Sequence, residues 1–230
     1  MYSFPYDKAC RVGCKCLWQC VLVSGLWMLT ACSSDGHHYP SVKEEFFSGY
    51  ANADSLLQYI ITDDGHQRIV TDSNEIDPVP PDSLIRLMGY YEELPSGQVK
   101  IHSFVSAIAP QPVPAVQYAD SVPTAPVTVQ SLWLGYRYLN MLLYVKTGGK
   151  KHKIIFLEDN YTAPDADGVA HVSLSIYHKT EDDAQPYQIR GYASLPLASY
   201  LKPDVQQLNL SISFLNYDGD IRTYQFEYKP

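Results

Sequence analysis

Apolar and polar residues alternate with a period of two along most of the chain after residue 40. In Leu208–Phe214, every second residue is leucine, isoleucine or phenylalanine, and the residues between them are asparagine or serine. Successive side chains of a β-strand point to opposite faces, so this period predicts half-buried strands of antiparallel sheets. No segment has a sustained helical period, and at most one short helical turn is expected, around Leu197–Leu201.

The predicted strands are bounded by turn residues. In chain order they are Val42–Ser48, Leu56–Thr62, His66–Thr71, Leu84–Glu93, Val99–Val105, Val127–Trp133, Leu139–Lys146, Lys151–Leu157, His171–His178, Tyr187–Leu195, Leu208–Phe214 and 223–228.

Glycine-containing turns separate several of these strands. Asp63-Asp64-Gly65 and Pro95-Ser96-Gly97 predict turns between the strands on either side of them. Asp218-Gly219 supplies the left-handed conformation that a tight hairpin requires. Gly148-Gly149 predicts a second hairpin, which would join Leu139–Lys146 to Lys151–Leu157.

A proline-rich segment divides the strands into two groups. Residues 109–126 contain five prolines, and proline both lacks a ladder donor and stiffens the chain, so they predict a semi-rigid connector. The short strands before it suit a five-stranded OB-like barrel, residues 41–108. The strands after it suit an antiparallel, immunoglobulin-like β-sandwich, residues 127–230. The predicted fold class is therefore all-β.

The first 31 residues have the features of a secretion signal. Lys8, Arg11 and Lys15 precede an apolar run, Leu17–Leu29. At 1.5 Å per residue this run covers about 20 Å, which is short of the roughly 30 Å hydrocarbon core of a membrane. The run therefore predicts a cleaved signal peptide, residues 1–31, and not a spanning anchor.

The apolar run ends at Leu29-Thr30-Ala31-Cys32, which has the form of a bacterial lipobox. Cys32 is the predicted lipidation site, where the thiol takes a diacylglyceryl thioether and the freed amine takes an acyl chain such as palmitate. Two or more chains anchor a protein stably, because each buried CH₂ contributes about 0.8 kcal/mol. An ordinary signal peptide with an incidental cysteine is the alternative.

The lipid would determine where the protein works. Residues 32–40 form a polar tether between Cys32 and the folded body. The expected partner is the membrane, through the lipid on Cys32, and the expected location is the outer membrane, on its periplasmic face or at the cell surface.

Cysteine usage and charge exclude several other functions. All five cysteines lie within the first 32 residues, which excludes disulfides and cysteine metal sites from the rest of the chain. Residues 32–230 hold 14 basic and 24 acidic residues, a net charge of −10. Such a body repels phosphate backbones, so no nucleic-acid partner is expected.

Several stretches resemble the NigD-like lipoproteins of Bacteroidetes. They are Ile61-Thr62-Asp63-Asp64-Gly65, Ser106-Ala107-Ile108-Ala109-Pro110-Gln111-Pro112-Val113-Pro114-Ala115, Tyr136-Arg137-Tyr138-Leu139-Asn140-Met141, Ser173-Leu174-Ser175-Ile176-Tyr177-His178 and Tyr224-Gln225-Phe226-Glu227-Tyr228. The resemblance covers nearly the whole chain after residue 32. It implies an OB-like domain followed by a β-sandwich, and a role in bacteriocin immunity or envelope defence. It brings no established catalytic residues.

Motifs of common enzyme classes are absent from the sequence, so no catalytic, cofactor-binding or metal-binding residue is predicted. His171 and His178 point to opposite faces of one strand and cannot share a metal ion. Strand parity predicts that His178 is a buried, hydrogen-bonded histidine. Asp165-Ala166-Asp167-Gly168 lacks the full ligand set of a calcium loop and predicts a plain turn.

Two candidate surface features remain. Tyr136 and Tyr138 could stack on sugar rings if both are exposed on one face, whereas a structural role is the alternative. Three Asp-Ser-apolar tripeptides match the O-glycosylation pattern of exported Bacteroidetes proteins, with Ser55, Ser83 and Ser121 as acceptors. An ordinary Asp-Ser turn or strand entrance is the alternative at these positions.

The sequence supports three functional hypotheses. The first is a lipid-anchored, non-catalytic envelope protein that binds an unknown protein partner, either a secreted toxin or another envelope component. The second is a glycan-binding accessory lipoprotein of a nutrient-uptake system. The third is an enzyme with an acid/base pair on a sheet surface, which a cleft with converging carboxylates would favour. No cofactor is expected.

Overall fold

The computed structural model of the chain describes residues 41–71, 78–118, 123–184 and 186–230. These residues form strands joined by turns, with one short 3₁₀ helix, Ala115–Tyr118. In chain order the strands are β1 Val42–Ala51, β2 Leu57–Thr62, β3 Gln67–Thr71, β4 Ser83–Glu93, β5 Val99–Ser106, β6 Val113–Pro114, β7 Thr128–Gly135, β8 Tyr138–Thr147, β9 Lys153–Thr162, β10 Val169–Lys179, β11 Tyr187–Pro196, β12 Gln207–Leu215 and β13 Ile221–Tyr228.

The first five strands close into a barrel in the order β1-β2-β3-β5-β4. β4 pairs along the whole length of β1, from Val42 opposite Glu92 to Ala51 opposite Ser83. Closure leaves no free edge, because every strand has a neighbour on both sides. The barrel core contains Phe47, Ala51, Leu57, Ile60, Val79, Leu87, Tyr91, Val99 and Ile101.

The remaining strands form a sandwich of two sheets. One has the order β13-β12-β10-β9-β6 and the other has the order β11-β8-β7. Alternate residues of β12 and β8 point into the core between the sheets, as the period of two predicts. The fully buried members of this core include Leu139, Met141, Leu143, Phe156, Leu174, Leu195, Leu208 and Ile212.

The all-β class, with a five-stranded barrel followed by a sandwich, is confirmed. The strand directions differ from the prediction at one long pair, because β10 and β12 run parallel, with Val172 opposite Leu210. Between them the chain passes through β11 in the other sheet. Alternation indicates which face of a strand is buried but not which direction its neighbour runs.

The turns were predicted with mixed success. Asp63-Asp64-Gly65 joins the antiparallel strands β2 and β3, and Gly65 has a φ of +86°. Gly97 and Gly219 also have positive φ, in the turns between β4 and β5 and between β12 and β13. The hairpin at Gly148-Gly149 is wrong, because β8 pairs with β7 and β11 whereas β9 pairs with β10 and β6. These glycines carry the chain from one sheet to the other.

The proline-rich segment packs against the sandwich where the structure describes it. Val113 and Pro114 pair in parallel with β9, which the sequence pattern did not predict. The ring of Tyr118 lies 5.1 Å from that of Tyr177, on the outer face of the larger sheet. Residues 197–201 form a hydrogen-bonded turn in which Tyr200 N donates to Leu197 O at 2.9 Å.

Ser41–Pro230 is a single compact unit, so the barrel and the sandwich belong to one body. Within the described residues, no helix has the length and apolar character needed to cross a membrane.

Candidate functional site

The barrel and the sandwich are joined by backbone hydrogen bonds at two places. At the first, Tyr136 N, in the turn between β7 and β8, donates to Asp63 O at 2.8 Å. At the second, Ile108 lies beside β11: its N donates to Tyr192 O at 2.8 Å and its O accepts from Ser194 N at 2.9 Å. Because the two contacts involve different parts of both domains, they fix the orientation of the barrel on the three-stranded sheet.

Two glycines allow the first of these contacts to be close. A Cβ atom added to Gly135 would overlap the carboxylate of Asp63. A Cβ atom added to Gly65 would lie 2.8 Å from the ring of Tyr136. The segments around Asp63 and around Tyr136, both of which carry the family resemblance, therefore meet at the interface between the domains.

A buried polar cluster occupies this interface, with Arg86 of β4 at its centre. The Arg86 side chain is 2% exposed, and one of its terminal nitrogens donates to the carboxylate of Asp63. The same nitrogen donates to Asn140 Oδ1 at 3.0 Å. The other guanidinium nitrogens donate to Ser48 Oγ and Ser194 Oγ, both at 3.3 Å. Most of the Arg86 donors are therefore bonded, some to acceptors in the barrel and others to acceptors in the sandwich.

The carboxylate of Asp63 is equally engaged. One of its oxygens accepts from Arg86, and the other accepts from the side-chain amide of Asn140 and from Trp133 Nε1, the latter at 3.3 Å. Asn140 also accepts from Ser194 Oγ at 2.7 Å. Since buried charges require partners and hydrogen bonds, this cluster meets the physical condition for a charged pair in a protein interior.

Aromatic rings surround the Arg86 guanidinium and extend the interface. The guanidinium carbon lies 4.1 Å from the ring centroid of Tyr138 and 5.6 Å from that of Phe46. Phe46 in turn makes edge contacts with Trp133 at 5.4 Å and Tyr192 at 6.1 Å. Arginine stacks well on aromatic faces, so these rings hold the guanidinium plane in place.

An open cleft of about 570 Å³ lies beside this interface. Its barrel wall is formed by Glu44 and Glu45 of β1, Asp63 and Asp64 of the β2–β3 turn, and Met88 of β4. Its sandwich wall is formed by Trp133, Leu134, Leu142 and Arg190. The cleft therefore has apolar side chains from both domains and carboxylates from the barrel.

The carboxylates of the cleft have different environments. Burial raises the pKa of Glu45, and the nearby charges of Asp63 and Asp64 add to this effect, although Tyr91 donates to its carboxylate. Hydrogen bonds from Thr62 and His66 hold the pKa of Asp64 well below its usual range. On the opposite wall, one terminal nitrogen of Arg190 donates to Tyr144 Oη at 3.2 Å.

A second concave surface, of about 610 Å³, lies on the outer face of the larger sheet. Its lining combines polar residues with three apolar ones: His171, Ser173, Asn209, Ser211, Gln225 and Glu227, and Val172, Leu210 and Phe226. Ser211 Oγ donates to Ser173 Oγ at 3.0 Å, and Gln207 Nε2 donates to Asn209 Oδ1 at 2.8 Å. His171, which also lines this surface, is exposed.

The prediction that His178 is a buried, hydrogen-bonded histidine is confirmed. It is 1% exposed, and its Nδ1 lies 3.1 Å from Pro126 O. Its Nε2 lies 2.9 Å from Nδ1 of His152, whose Nε2 lies 3.2 Å from a carboxylate oxygen of Asp183. Burial, with the charge of His152 beside it, lowers the pKa of His178. His178 therefore belongs to a buried chain of polar groups in the sandwich.

The other candidate residues are distributed over the surface and the interface. Tyr138 lies against the Arg86 guanidinium and is part-buried, whereas Tyr136 lies against Gly65 and is 38% exposed, so of these two rings Tyr136 is the exposed one. Ser55 lies in a turn with a φ of +64°, whereas Ser83 Oγ donates to Pro80 O at 2.5 Å at the start of β4. Cys32 and Ser121 lie outside the described residues.

The calcium-loop alternative at residues 165–168 receives no support from the structure. Asp165 Oδ1 accepts from the backbone N of Asp167 and of Val169, both at 3.0 Å, which is the geometry of a plain turn. Among the residues that the structure describes, no group of three or more His, Cys, Asp or Glu side chains is placed to hold a metal ion.

The sequence does not predict the polar cluster around Arg86, because the burial that distinguishes its strands is visible only in the structure. In the middle of β1 and of β4, four consecutive residues are buried, whereas a strand with one solvated face alternates. Such strands are covered on both faces. Arg86 in β4 and Asn140 in β8 are therefore polar residues in strands that have no solvated face at that point.

Together these features define a class of protein: a two-domain β-scaffold, with a barrel fixed on a sandwich by a buried polar cluster and with an open cleft beside it. Residues 111–228 match the family model of the NigD-like C-terminal beta sandwich domain. The chain belongs to the NigD-like family.

Solved structures agree with this assignment. A NigD-like immunity protein from Bacteroides caccae is 32% identical, with a TM-score of 0.66, over 84% of this chain and 100% of that protein. A protein of Parabacteroides distasonis described as toxin related is 18% identical, with a TM-score of 0.65, over 82% of this chain and 94% of that protein. A protein of unknown function from Bacteroides vulgatus, 18% identical over 83% of this chain and 92% of its own, has a TM-score of 0.61. The last two likenesses show the fold alone. No curated protein matches the chain.

Proposed function

We propose that this protein is a lipid-anchored, non-catalytic envelope protein that acts by binding a protein partner, in bacteriocin immunity or envelope defence. The observation that carries this proposal is the open cleft between two domains whose orientation is fixed by the Arg86 cluster. A rigid scaffold loses little conformational entropy on binding, which favours a recognition role. The B. caccae neighbour, named as an immunity protein, supports the same role.

The anchoring part of the proposal rests on the amino-acid sequence around Cys32. The positive residues, the short apolar run and Leu29-Thr30-Ala31-Cys32 together fit a lipoprotein signal. A lipid on Cys32 would hold the cleft close to the outer membrane, where an incoming toxin must pass. Mass spectrometry of the protein from its host should find Cys32 as the acylated first residue. A mature protein that still carries residues 1–31 would contradict the proposed lipid anchor.

The non-catalytic part is supported by how the carboxylates of the cleft are used. Converging carboxylates would favour an enzyme, and this cleft contains several. However, Asp63 is neutralised by Arg86 and held by Asn140, while Glu45 accepts from Tyr91 and Asp64 accepts from Thr62. A general acid or base must be able to exchange its proton with substrate. These internal hydrogen bonds therefore favour binding over acid–base catalysis.

A deletion strain tests the proposed function. We expect loss of the gene to increase sensitivity to bacteriocins from neighbouring strains, and the wild-type gene to restore protection. A Cys32→Ser variant should restore little, because it would not be anchored. As a control, His171→Gln should restore protection fully, since His171 is exposed on the outer face of the sandwich, away from the cleft. Unchanged sensitivity of the deletion strain would contradict the proposal.

A glycan-binding accessory of a nutrient-uptake system is the second candidate. The observation that favours it is the concave outer face of the larger sheet, where Ser173, Asn209, Ser211 and Gln225 supply neutral polar side chains. Such groups suit an uncharged ligand with many hydroxyls. We expect this function to show as glycan-array binding that Asn209→Ala and Gln225→Ala abolish and that Glu44→Gln leaves unchanged. Absence of binding by the wild type would exclude it.

A further inference from the structure

We infer that the cleft between barrel and sandwich binds a segment of a protein partner in which basic residues alternate with apolar ones. This inference rests on the proposed function and specifies the chemistry of the partner. It depends on two properties of the cleft, an apolar surface contributed by both domains and a net negative charge on one side.

The apolar surface is contributed by Met88 of the barrel and by Trp133, Leu134 and Leu142 of the sandwich. Trp133 is oriented by two contacts, the bond from Nε1 to Asp63 at 3.3 Å and the edge contact with Phe46 at 5.4 Å. Tryptophan and methionine are enriched where proteins bind other proteins, because they present large apolar areas to a partner. The cleft therefore offers a preformed site for apolar side chains.

The charge of the cleft determines which apolar segment would fit. Of the lining carboxylates, Asp63 is neutralised by the buried Arg86, and Asp64 lies 2.9 Å from Nδ1 of the exposed His66. With Glu44 and Glu45 beside it, the barrel side keeps a net negative charge. Arg190 is the one basic residue among the lining residues, and it lies on the sandwich side, bonded to Tyr144 Oη. A partner with lysine or arginine beside its apolar residues would relieve the repulsion among the carboxylates. Charge complementarity of this kind steers association and selects the partner.

A glycan would fit this cleft less well, since sugar hydroxyls do not neutralise the clustered carboxylates. The neutral outer face of the larger sheet offers a better surface for a glycan. We therefore assign the cleft to a cationic protein segment.

Synthetic peptides test the inference on the protein purified from the envelope in nonionic detergent. The probe is a short peptide of alternating lysine and leucine, and the control peptide has glutamate in place of each lysine. Binding is followed by calorimetry and by the fluorescence of Trp133, taken as the difference between the wild type and Trp133→Phe. Trp133 is the only tryptophan in residues 32–230, so a spectral change reports the cleft itself.

We expect the lysine peptide to bind and to shift the Trp133 emission, and the glutamate peptide to do neither. The double variant Glu44→Gln/Asp64→Asn should weaken binding about tenfold, equivalent to about 1.4 kcal/mol. The matched control Glu227→Gln removes an exposed carboxylate from the outer face of the sandwich and should leave the affinity unchanged. Added salt should weaken binding to the wild type more than to the double variant.

Three results would overturn the inference: no binding of the lysine peptide, equal binding of both peptides, or an equal loss in Glu227→Gln and the double variant. An equal loss in both variants would show that the peptide is attracted to the acidic protein in general and not to the cleft. The outcome is separable from that of the deletion strain. If the double variant still protects cells, the cleft inference fails while the proposed function stands; if peptides bind but deletion has no effect, the proposed function fails while the cleft inference stands.

Discussion

Arg86, on β4 of the barrel, donates to the carboxylate of Asp63 in the β2–β3 turn, and the same guanidinium nitrogen reaches Asn140 of the sandwich at 3.0 Å. The ion pair lies within the barrel, but its remaining hydrogen bonds cross to the second domain. Moving two charges out of water costs several kcal/mol, so a buried pair adds little net stability. Its consequence is geometric, because only one orientation of the sandwich satisfies every donor and acceptor.

Removing one member of this pair should be costly. Arg86→Met leaves the Asp63 carboxylate buried without its cation, and we expect the free energy of unfolding to fall by about 3–5 kcal/mol. Arg86→Lys should recover only part of this loss, since one ammonium group cannot reproduce the fork of donors that reaches Asp63, Asn140, Ser48 and Ser194. Urea denaturation followed by circular dichroism measures both changes.

The matched control is the exposed ion pair between Lys43 and Glu93, whose side chains are 44% and 38% exposed. Solvent screens this pair, so Lys43→Met should cost less than about 1 kcal/mol. If Arg86→Met were no more destabilising than Lys43→Met, the Arg86 cluster would not constrain the fold as argued.

The close contact between Gly135 and Asp63 predicts that a larger side chain at position 135 destabilises the protein. Gly135→Ala places a methyl group against the Asp63 carboxylate, and the resulting displacement should cost about 1–3 kcal/mol. Gly191→Ala is the control, because it also lies in a strand of the same sheet but its added carbon would be 3.9 Å from Leu143 Cβ, an ordinary contact. Its stability should stay within about 0.5 kcal/mol of the wild type. Thermal unfolding of the two variants side by side decides the matter, and equal melting temperatures would refute the close contact.

The sequence predicted where the strands lie, but it did not predict which strands pair with each other at every position. Alternation located β12 and β13 because one face of each is solvated, and Asp218-Gly219 marked the turn between them. The same logic failed at Gly148-Gly149, where a hairpin and a crossing between sheets have the same pattern of strand, glycine and strand. At this crossing Thr147 and Gly148 bond to Asp183, which lies far along the chain, and no local pattern encodes such contacts.

The candidate site was predictable only in part for a similar reason. Asp63 and Asn140 lie in stretches that carry the family resemblance, but Arg86 lies in a strand with no distinguishing motif. Its role depends on four residues that are far from it in sequence, namely Ser48, Asp63, Asn140 and Ser194. Such a cluster exists only after the two domains have packed together, so it cannot be read from spacing along the chain.

The turn at Gly148-Gly149 provides a test of how the chain crosses between the sheets. One carboxylate oxygen of Asp183 accepts from Gly148 N at 2.6 Å, Lys150 N at 3.2 Å and Thr147 Oγ1 at 2.7 Å. Asp183→Ala should therefore speed hydrogen exchange of the Gly148 and Lys150 amides while leaving exchange in β8 slow. The control is Asp165→Ala, which removes a similar acceptor from the turn before β10 and should speed only the amides of Asp167 and Val169. Unchanged exchange at Gly148 in Asp183→Ala would contradict the assigned role of the carboxylate.

The buried histidine pair should make stability depend on pH. An unfolded histidine binds a proton near pH 6.5, whereas burial, together with the neighbouring His152, lowers the pKa of His178 in the fold. At pH values between these two pKa values the unfolded chain holds more protons, so the free energy of unfolding rises with pH. The contribution of His178 is fully present above about pH 6.5 and is lost as the pH falls below it. Asp183 adds to the same trend only in stronger acid, because hydrogen bonds led by that from Thr147 lower its pKa to about 2.

Urea denaturation at about pH 7.5 and about pH 5.5 tests this dependence, since the two values lie on either side of the unfolded histidine pKa. The groups that face His178 are His152, the carbonyl of Pro126 and, beyond His152, the carboxylate of Asp183. His178→Gln keeps a donor for Pro126 but cannot titrate, so the variant should lose less stability between the two pH values than the wild type does. His171→Gln, on the exposed face of the same strand, should retain the full wild-type loss. If His178→Gln and the wild type lost equal stability on acidification, the titration of His178 would not be the cause.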